Sequence, residues 1–522
     1  MFRALGHIVR LAHSGWVLAR EGVFNDIDPA ILPPAARVPL GFAKLLARRS
    51  ARKDRKRLAR AMARLGPSYI KLGQFLATRP DVVGVSAAAE LEELQDRVTP
   101  FSREQAVATI EASFGARLEA IFPEFGEPIA AASIAQVHRA KVATPDGLRD
   151  VAVKVLRPGV ERRFRRDLGD MYFAASLAER YSSEARRLRL FDVVETLARS
   201  VKMEMDFRLE AAAASEYAEN TREDADFRVP AVDWDHTAKD VLTIEWIDGV
   251  HLSDLTALRE SGYDLPQLGR VVIQSFLRQA VRDGFFHADM HQGNLFIDRA
   301  GRLAAVDFGI MGRLGPKERR FLAEILFGFI TRDYRRVAEV HFEAGYVPRI
   351  HRVEDFAQAI RAIGEPIHSR TADQISMAKL LSLLFEITAL FDMRTRTELV
   401  LLQKTMVVVE GVARSLDPRL DMWSTAEPVV ASWIREKLGP VGMIEDAGRG
   451  LSALGRFAGQ LPDLVTRAEG LADDIERMAR HGVELSPLSV EAIGRAEARR
   501  GRWGNAALWT IAALLAVLLL MD

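Results

Sequence analysis

The chain has 522 residues, 48% of them apolar, with 72 Lys and Arg against 71 Asp and Glu. That supplies apolar material for about two to four domains, and the near-cancelled charge excludes a globally basic nucleic-acid binder. There is no cysteine, which removes disulfides, thiolate zinc sites and cysteine nucleophiles.

The first twenty residues, "MFRALGHIVRLAHSGWVLAR", do not form a signal peptide, because Arg3, His7, Arg10 and His13 interrupt any apolar run. They read as an amphipathic helix. Residues 1–125 are rich in Ala, Leu, Arg and Glu, and predict helices broken at Pro33-Pro34, Gly66-Pro67 and Arg79-Pro80. Within them "ARRSARKDRKRLAR", residues 47–60, is a basic run. It is either the solvated face of a helix or a patch facing anionic lipid headgroups, where each basic residue contributes on the order of 1 kcal/mol.

From residue 126 the texture changes. "DVAVKVLRP" (150–158) alternates and is β-branched, which predicts a strand. Residues 160–222 are charged and alanine-rich, hence helical. "DVLTIEWIDG" (240–249) predicts a second strand ending in a turn. Beyond 250 the chain is mainly helical, interrupted by "NLFID" and "LAAVDFG", two short strands about the turn Arg299-Ala300-Gly301. At the end, Asn505–Met521 is uncharged. As a helix it would be roughly 26 Å long, against a hydrocarbon core of about 30 Å. Arg499, Arg500, Arg502 and Trp503 precede it, as at the cytoplasmic entrance of a span. The expectation is a single C-terminal transmembrane anchor.

Four features fall in the order that phosphoryl transfer requires. Lys154 lies mid-strand in "VAVKV". Asp289 and Asn294, in "HADMHQGNLF", are spaced as D-x-x-x-x-N. "DFG" follows at 307–309, with Asp307 18 residues after Asp289. Lys154 offers a cation to the α/β-phosphates, and Asp307 and Asn294 offer oxygen ligands to Mg²⁺. Asp289 can accept a proton from an attacking hydroxyl or orient water. His287 reads as a scaffold residue of that loop rather than a metal ligand. The carboxylate that holds the lysine is sought in "KMEMDFRLEAAAA", where Glu204, Asp206 and Glu210 stand at i, i+2 and i+6 of a helix. Glu204 and Asp206 point about 200° apart and should serve different partners. No G-x-G-x-x-G precedes the lysine strand. The corresponding segment is "PIAAASIAQVHRA", where alanine restricts the backbone more than glycine would. No A-P-E follows "DFG", so a peptide-docking platform is not expected.

These residues together resemble the UbiB family of atypical kinase-like proteins, also called the ADCK family, over roughly residues 60–420. The distinctive part is K-x-G-Q at Lys71, Gly73 and Gln74 in "PSYIKLGQFLATRPDVVG", followed by "LEELQDRVTPF". "AAAS" at 130–133, E-x-D at Glu204 and Asp206, and "VVVEGVARSLDP" at 407–418 extend it. The resemblance implies an α+β, protein-kinase-like two-lobe fold. A helical K-x-G-Q extension would occupy 1–125, the N-lobe 126–248 and the helical C-lobe 249–440. A helical tail (441–502) and the transmembrane helix (505–521) would follow. It implies a catalytic set of Asp289, Lys154 and Glu210, the last two paired, with Mg²⁺ on Asn294 and Asp307. ATP would lie against Ala130, Ala131, Ala132, Ser133, Lys154, Glu245 and Ile247. The K-x-G-Q helices would fold across the site, with Lys71 and Gln74 near the nucleotide and Glu204 and Asp206 close by, blocking peptides.

The implied activity is ATP binding and hydrolysis in support of ubiquinone biosynthesis at the bacterial inner membrane, with the catalytic part cytoplasmic. The implied partners are membrane lipid or isoprenoid quinone precursors and the biosynthetic enzymes, not nucleic acid. A non-catalytic nucleotide-binding scaffold, or a protein kinase acting on a partner, are the alternatives. Two departures stand out. The family loop commonly reads H-x-D-P-H-P-G-N, whereas here Met290 and Gln292 replace both prolines, which removes their fixed φ. Bacterial relatives also often carry two C-terminal spans, and one is found here.

Overall fold

The computed structural model describes residues 2–26, 34–48, 56–77, 79–92, 94, 99–181, 183–368, 387, 390–393 and 397–438. The chain divides into two units, Met1–Arg435 and Glu436–Asp522. Of the second, only residues 436–438 are described, at the end of a helix. The expected helical tail and the anchor at 505–521 lie outside the described residues. Among the described residues no helix is long and apolar enough to cross a membrane.

The N-terminal part is helical. It contains α1 (Phe2–Arg20), α2 (Pro34–Leu45), α3 (Arg57–Leu65), α4 (Pro67–Ala77), α5 (Pro80–Val83), α6 (Val85–Glu92), α7 (Arg103–Phe114) and α8 (Leu118–Ile121). Prolines open α2, α4 and α5, at the position where the absent N–H costs nothing. A capping box of Ser102 and Gln105 starts α7, and Gly115 in the left-handed region ends it.

Three antiparallel strands follow, β1 (Glu124–Ala131), β2 (Ala135–Thr144) and β3 (Gly147–Leu156). Next come α9 (Val160–Tyr181), α10 (Ser183–Leu188), α11 (Leu190–Glu204), α12 (Phe207–Asn220), β4 (Phe227–Arg228) and β5 (Val241–Glu245). β5 completes a sheet of order β1-β2-β3-β5, with Lys154 opposite Val137 on one side and Leu242 on the other. Alternation sends Val151, Val153 and Val155 into one core with Ala106, Ile110 and Phe122 of the α7–α8 region. The opposite face packs Leu156, Leu242 and Ile244 against residues of α9, α11 and α12. Lys154 therefore points into the helix-covered side.

Two readings of the sequence need correction here. The sequence reading lacks the strands β1 and β2; β1 is solvent-facing over most of its length and shows no apolar alternation, whereas β2 is largely buried. Glu204, Asp206 and Glu210 do not share a helix. The chain breaks at Met205, and Asp206 takes an extended backbone and accepts from the Arg208 N–H as the N-cap of α12.

The chain continues with β6 (Gly249–His251), α13 (Leu255–Glu260) and α14 (Leu265–Leu277), the last continuing as a π-helical turn over Arg278–Asp283. Then come β7 (Phe285–His287), β8 (Leu295–Asp298), β9 (Leu303–Ala305) and β10 (Met311–Arg313). β7 pairs with β10, while β8 lies between β6 and β9, and β4 joins β9 in parallel. Helices α15 (Pro316–Ile330), α16 (Tyr334–Glu343) and α17 (Val353–His368) follow, then helices Thr397–Leu416 and Met422–Leu438. α14 lies close against the Thr397–Leu416 helix at Gly269, where an added Cβ would come 3.1 Å from the Ala413 carbonyl.

Candidate active site

Lys154 is held by its strand register over the first turn of α12. Its Nζ donates to Glu210 Oε1 and Oε2 at 2.7 and 3.0 Å and to Asp307 Oδ1 at 3.3 Å. It also stands 5.5 Å above the Phe207 ring. One cation thus serves two carboxylates, and the surplus negative charge has to settle on one of them. Burial disfavours charge on Lys154, but Asp307 and Glu210 outweigh it and raise its pKa. Burial also disfavours charge on Asp307, yet Lys154 and the Gly309 N–H hold its pKa far below the usual range. Glu210 carries the cost. Burial, only partly offset by Lys154, pushes its pKa up. Both members of the Lys154–Glu210 pair shift upward, Glu210 chiefly through burial with Asp307 adding to it, and Lys154 through Asp307 and Glu210.

The "HADMHQGNLF" stretch forms the opposite wall. His287 ends β7 fully buried, and its Nδ1 accepts from the Asp289 N–H at 3.1 Å. Its ring lies edge-on to Phe308, and burial pulls its pKa down. The loop then exposes Asp289. His291 Nδ1 accepts from the Gly293 N–H, which places its ring proton on Nε2, 3.7 Å from Asp289 Oδ2. Asn294 Nδ2 donates to the Asp289 carbonyl, and the Val306 N–H donates to the Asn294 carbonyl, each at 3.1 Å. The β8–β9 hairpin closes with Leu295 opposite Ala305. It therefore returns Asp307 beside Asn294.

Two side chains of the Thr397–Leu416 helix fasten this loop from behind. Thr405 Oγ1 donates to the Ala288 carbonyl at 3.1 Å, and Gln292 Nε2 donates to Ser415 Oγ at 2.5 Å. Sequence reasoning missed both, because nothing local to residues 405 and 415 indicates a partner over a hundred residues upstream.

The alanine-rich segment is a tight reversal. Ala130 and Ala131 belong to β1, opposite Val137 and Gln136, and the Ala132 N–H donates to the Ala135 carbonyl at 2.8 Å. Ser133 is fully buried. Arg157 donates to the carbonyls of Ala132 and Thr99. Behind this turn lies α4, whose Tyr69, Leu72 and Phe75 pack on the core containing Ile134 and Phe207. Lys71 Nζ reaches Glu204 Oε2 at 2.6 Å, with both side chains largely buried. Gly73 lets α6 approach, since a Cβ there would come within 3.0–3.2 Å of Leu94 and Leu91. Gln74 is half-buried on the same helix.

Some expected residues sit elsewhere. The Asp206 carboxylate is turned to Arg208 and to the start of α12 rather than to Lys154. The Glu245 carboxylate is turned to Arg228 at 2.5 Å and the Ala231 N–H at 3.2 Å, away from the lysine cluster. What Glu245 and the buried Ile247 offer is main chain, in the strand-to-strand connection between the two lobes.

Asp307 and Asn294 suit Mg²⁺ chemically. Among the described residues the hydrogen bonds to Asp307 all fall on Oδ1, and the Asn294 amide nitrogen is engaged, which directs its oxygen to acceptor or ligand duty. Among the described residues there is no cluster of three or more His, Asp or Glu that would hold a metal alone. That is the pattern of an ion bound by one or two protein oxygens together with phosphates.

A sheet-borne lysine paired with a helix glutamate, over a D-x-x-x-x-N loop and a following DFG, defines a kinase-like nucleotide site. Residues 93–341 match the ABC1 atypical kinase-like domain, and residues 360–421 match the UbiB helical domain. The chain is 41% identical over 468 residues to the probable protein kinase UbiB of Marinobacter nauticus, covering 87% of this chain and 84% of that one. It is 42% identical over 437 residues to the probable protein kinase UbiB of Azotobacter vinelandii, covering 83% and 80%. Its fold is shared with Rv3197 of Mycobacterium tuberculosis, solved as an erythromycin complex, at a TM-score of 0.50 and 24% identity over 69% of this chain and 90% of that one. The chain belongs to the UbiB family.

Proposed function

We propose that this protein is a Mg²⁺-dependent atypical kinase or ATPase that supports ubiquinone biosynthesis at the bacterial inner membrane, acting on lipid precursors or on the biosynthetic complex. The observation that carries it is the meeting of Lys154, Glu210 and Asp307 with the Asp289–Asn294 loop. Bound Mg²⁺·ATP would supply the phosphoryl group and the charge neutralisation that its transfer requires. Lys154 then orients phosphate oxygens while Glu210 fixes its amine. Asp307 and Asn294 hold the metal ion. Asp289 is exposed enough to take a proton from an acceptor hydroxyl or to align water, with His291 Nε2 beside it.

The Lys71–Glu204 bridge fastens α4 to the end of α11, beside the alanine-rich turn. This favours water or a small or lipid acceptor over a peptide. The uncharged 505–521 segment supports a single C-terminal anchor. The relatives' name, probable protein kinase UbiB, favours a second reading, a protein kinase acting in trans. Phosphate appearing on a partner protein, and lost in Asp289→Ala, would support it.

The first test measures quinone content in cells lacking the gene, complemented with wild type or Asp307→Asn, alongside Mg²⁺·ATP affinity and turnover of both proteins. Rescue by wild type alone, with lost turnover in the variant, is expected. Rescue by both would overturn an enzymatic role, and unchanged turnover would overturn the site.

A further inference from the structure

α1 is amphipathic in the reverse of the usual sense. Its inner stripe is His7, Arg10, Ser14 and Val17, spaced at three and four residues. His7 Nδ1 contacts Asp170 Oδ1 at 2.5 Å, Arg10 donates to both Asp170 oxygens at 2.7 Å, and Ser14 Oγ meets the Tyr69 hydroxyl at 2.7 Å. Polar bonds thus hold α1 to α9 and α4. The outer stripe is Ile8, Val9, Ala12, His13 and Trp16, all exposed, with Val9 62% exposed. α2 and its C-terminal end bury Leu40 and Ala47 but also leave large apolar side chains outside. Phe42, Leu45 and Leu46 face solvent, Leu45 at 75%.

The two helices are tied together at their ends. The Arg48 N–H donates to the Arg20 carbonyl at 3.1 Å. The buried carboxylate of Glu21 sits among Arg48, Arg60 and Arg64 at 3.9, 3.8 and 2.6 Å. Two ends of the basic run are therefore spent on an internal anion, which corrects part of its reading as a lipid patch. The charge of this stretch of sequence remains one-sided. Residues 1–65 carry fourteen Lys and Arg against four Asp and Glu, in a chain whose total net charge is +1. An exposed apolar face with a concentrated positive field matches an anionic bilayer surface in both of its properties. A nucleic acid would match only the charge.

We propose that α1 and α2 form an interfacial membrane-docking surface, in which Ile8, Val9, Trp16, Phe42, Leu45 and Leu46 enter the headgroup–acyl boundary of an anionic leaflet and the surrounding Lys and Arg engage its headgroups. This rests on the membrane location proposed above and adds a second, peripheral contact to the C-terminal anchor. It sets which side of the molecule faces the lipid.

The absence of native cysteine makes the test direct. Full-length Val9→Cys, Phe42→Cys and, as a control in the C-lobe, Ile350→Cys are each labelled with a fluorophore. All three positions are exposed. The labelled proteins are reconstituted in phosphatidylcholine–phosphatidylglycerol or pure phosphatidylcholine vesicles containing spin-labelled lipid. Quenching of about twofold or more at Val9 and Phe42 is expected with anionic lipid, with less in neutral vesicles and none at Ile350. No quenching at Val9 and Phe42 in protein that floats with the vesicles overturns the surface and leaves the anchor standing. Failure to float with neutral vesicles counts against the anchor alone. Equal quenching in both lipids overturns the anionic assignment. Excimer emission from pyrene at Val9 without vesicles overturns it in favour of a second copy of the chain.

Discussion

At the scale of single residues, the charge balance around Lys154 makes a pH-dependent prediction. Glu210 is buried beside a lysine it shares with Asp307, and burial raises its pKa to about 7. A carboxyl raised in the folded state binds its proton more tightly there. Folded stability therefore falls as pH climbs from the usual carboxyl range to the raised value. Lys154→Met removes the cation and raises Glu210 further. The variant should match wild type most closely in acid, where Glu210 is neutral, and fall behind by up to about 1.4 kcal/mol per pH unit above about pH 7. Urea midpoints across that range measure this, and a deficit that shrinks with rising pH would refute the assignment. Spacing alone offers a short list of acidic partners for Lys154, and the family resemblance singles out Glu210. Lys154 does bond to Glu210, which the break at Met205 sets on a different helix from Glu204.

Elements carry the next set of consequences. The Asp289–Asn294 loop lacks the family's prolines, yet it is not slack. Gln292 is bonded to Ser415 and Ala288 to Thr405, both from the Thr397–Leu416 helix. Gln292→Ala and Ser415→Ala should each lower kcat by roughly three- to tenfold with little change in the KM for ATP, in line with a hydrogen bond worth about 1 kcal/mol. The double variant should be no worse than either single one, because both remove the same contact. Additive losses in a double-mutant cycle would show that the two side chains act separately. The D-x-x-x-x-N loop and the β8–β9 hairpin that leads into DFG are legible in the sequence, since strand alternation and the turn at Arg299-Ala300-Gly301 are local signals. The edge strand at 124–131 escaped it because a solvent-facing strand carries no apolar alternation.

Across the whole molecule, the N-terminal helices are fixed to the N-lobe by a few polar contacts as well as by the apolar face of α4. Lys71 and Glu204 are largely buried, so Lys71→Glu sets two carboxylates against each other and should cost about 3–5 kcal/mol. Adding Glu204→Lys should recover most of the thermal midpoint and the amide protection of α4. Failure of the swap to recover either would mean that the apolar packing of Tyr69, Leu72 and Phe75 holds the helix without the bridge.

The sequence alone determined the helix breaks at proline, the two strands around Lys154 and Glu245, the order of the nucleotide-site residues and the K-x-G-Q relationship. These depend on backbone chemistry, side-chain periodicity and residue type, which act over a few neighbours. Tertiary structure alone decided that Lys71 meets Glu204, that Glu245 turns to Arg228, that Ser415 holds Gln292, and that α1 buries its polar stripe on Asp170 while leaving its apolar one outside. Each of these is a pairing between distant segments. Such pairings are set by which faces the packed helices and strands bring within hydrogen-bond reach, and no local pattern in the chain encodes that.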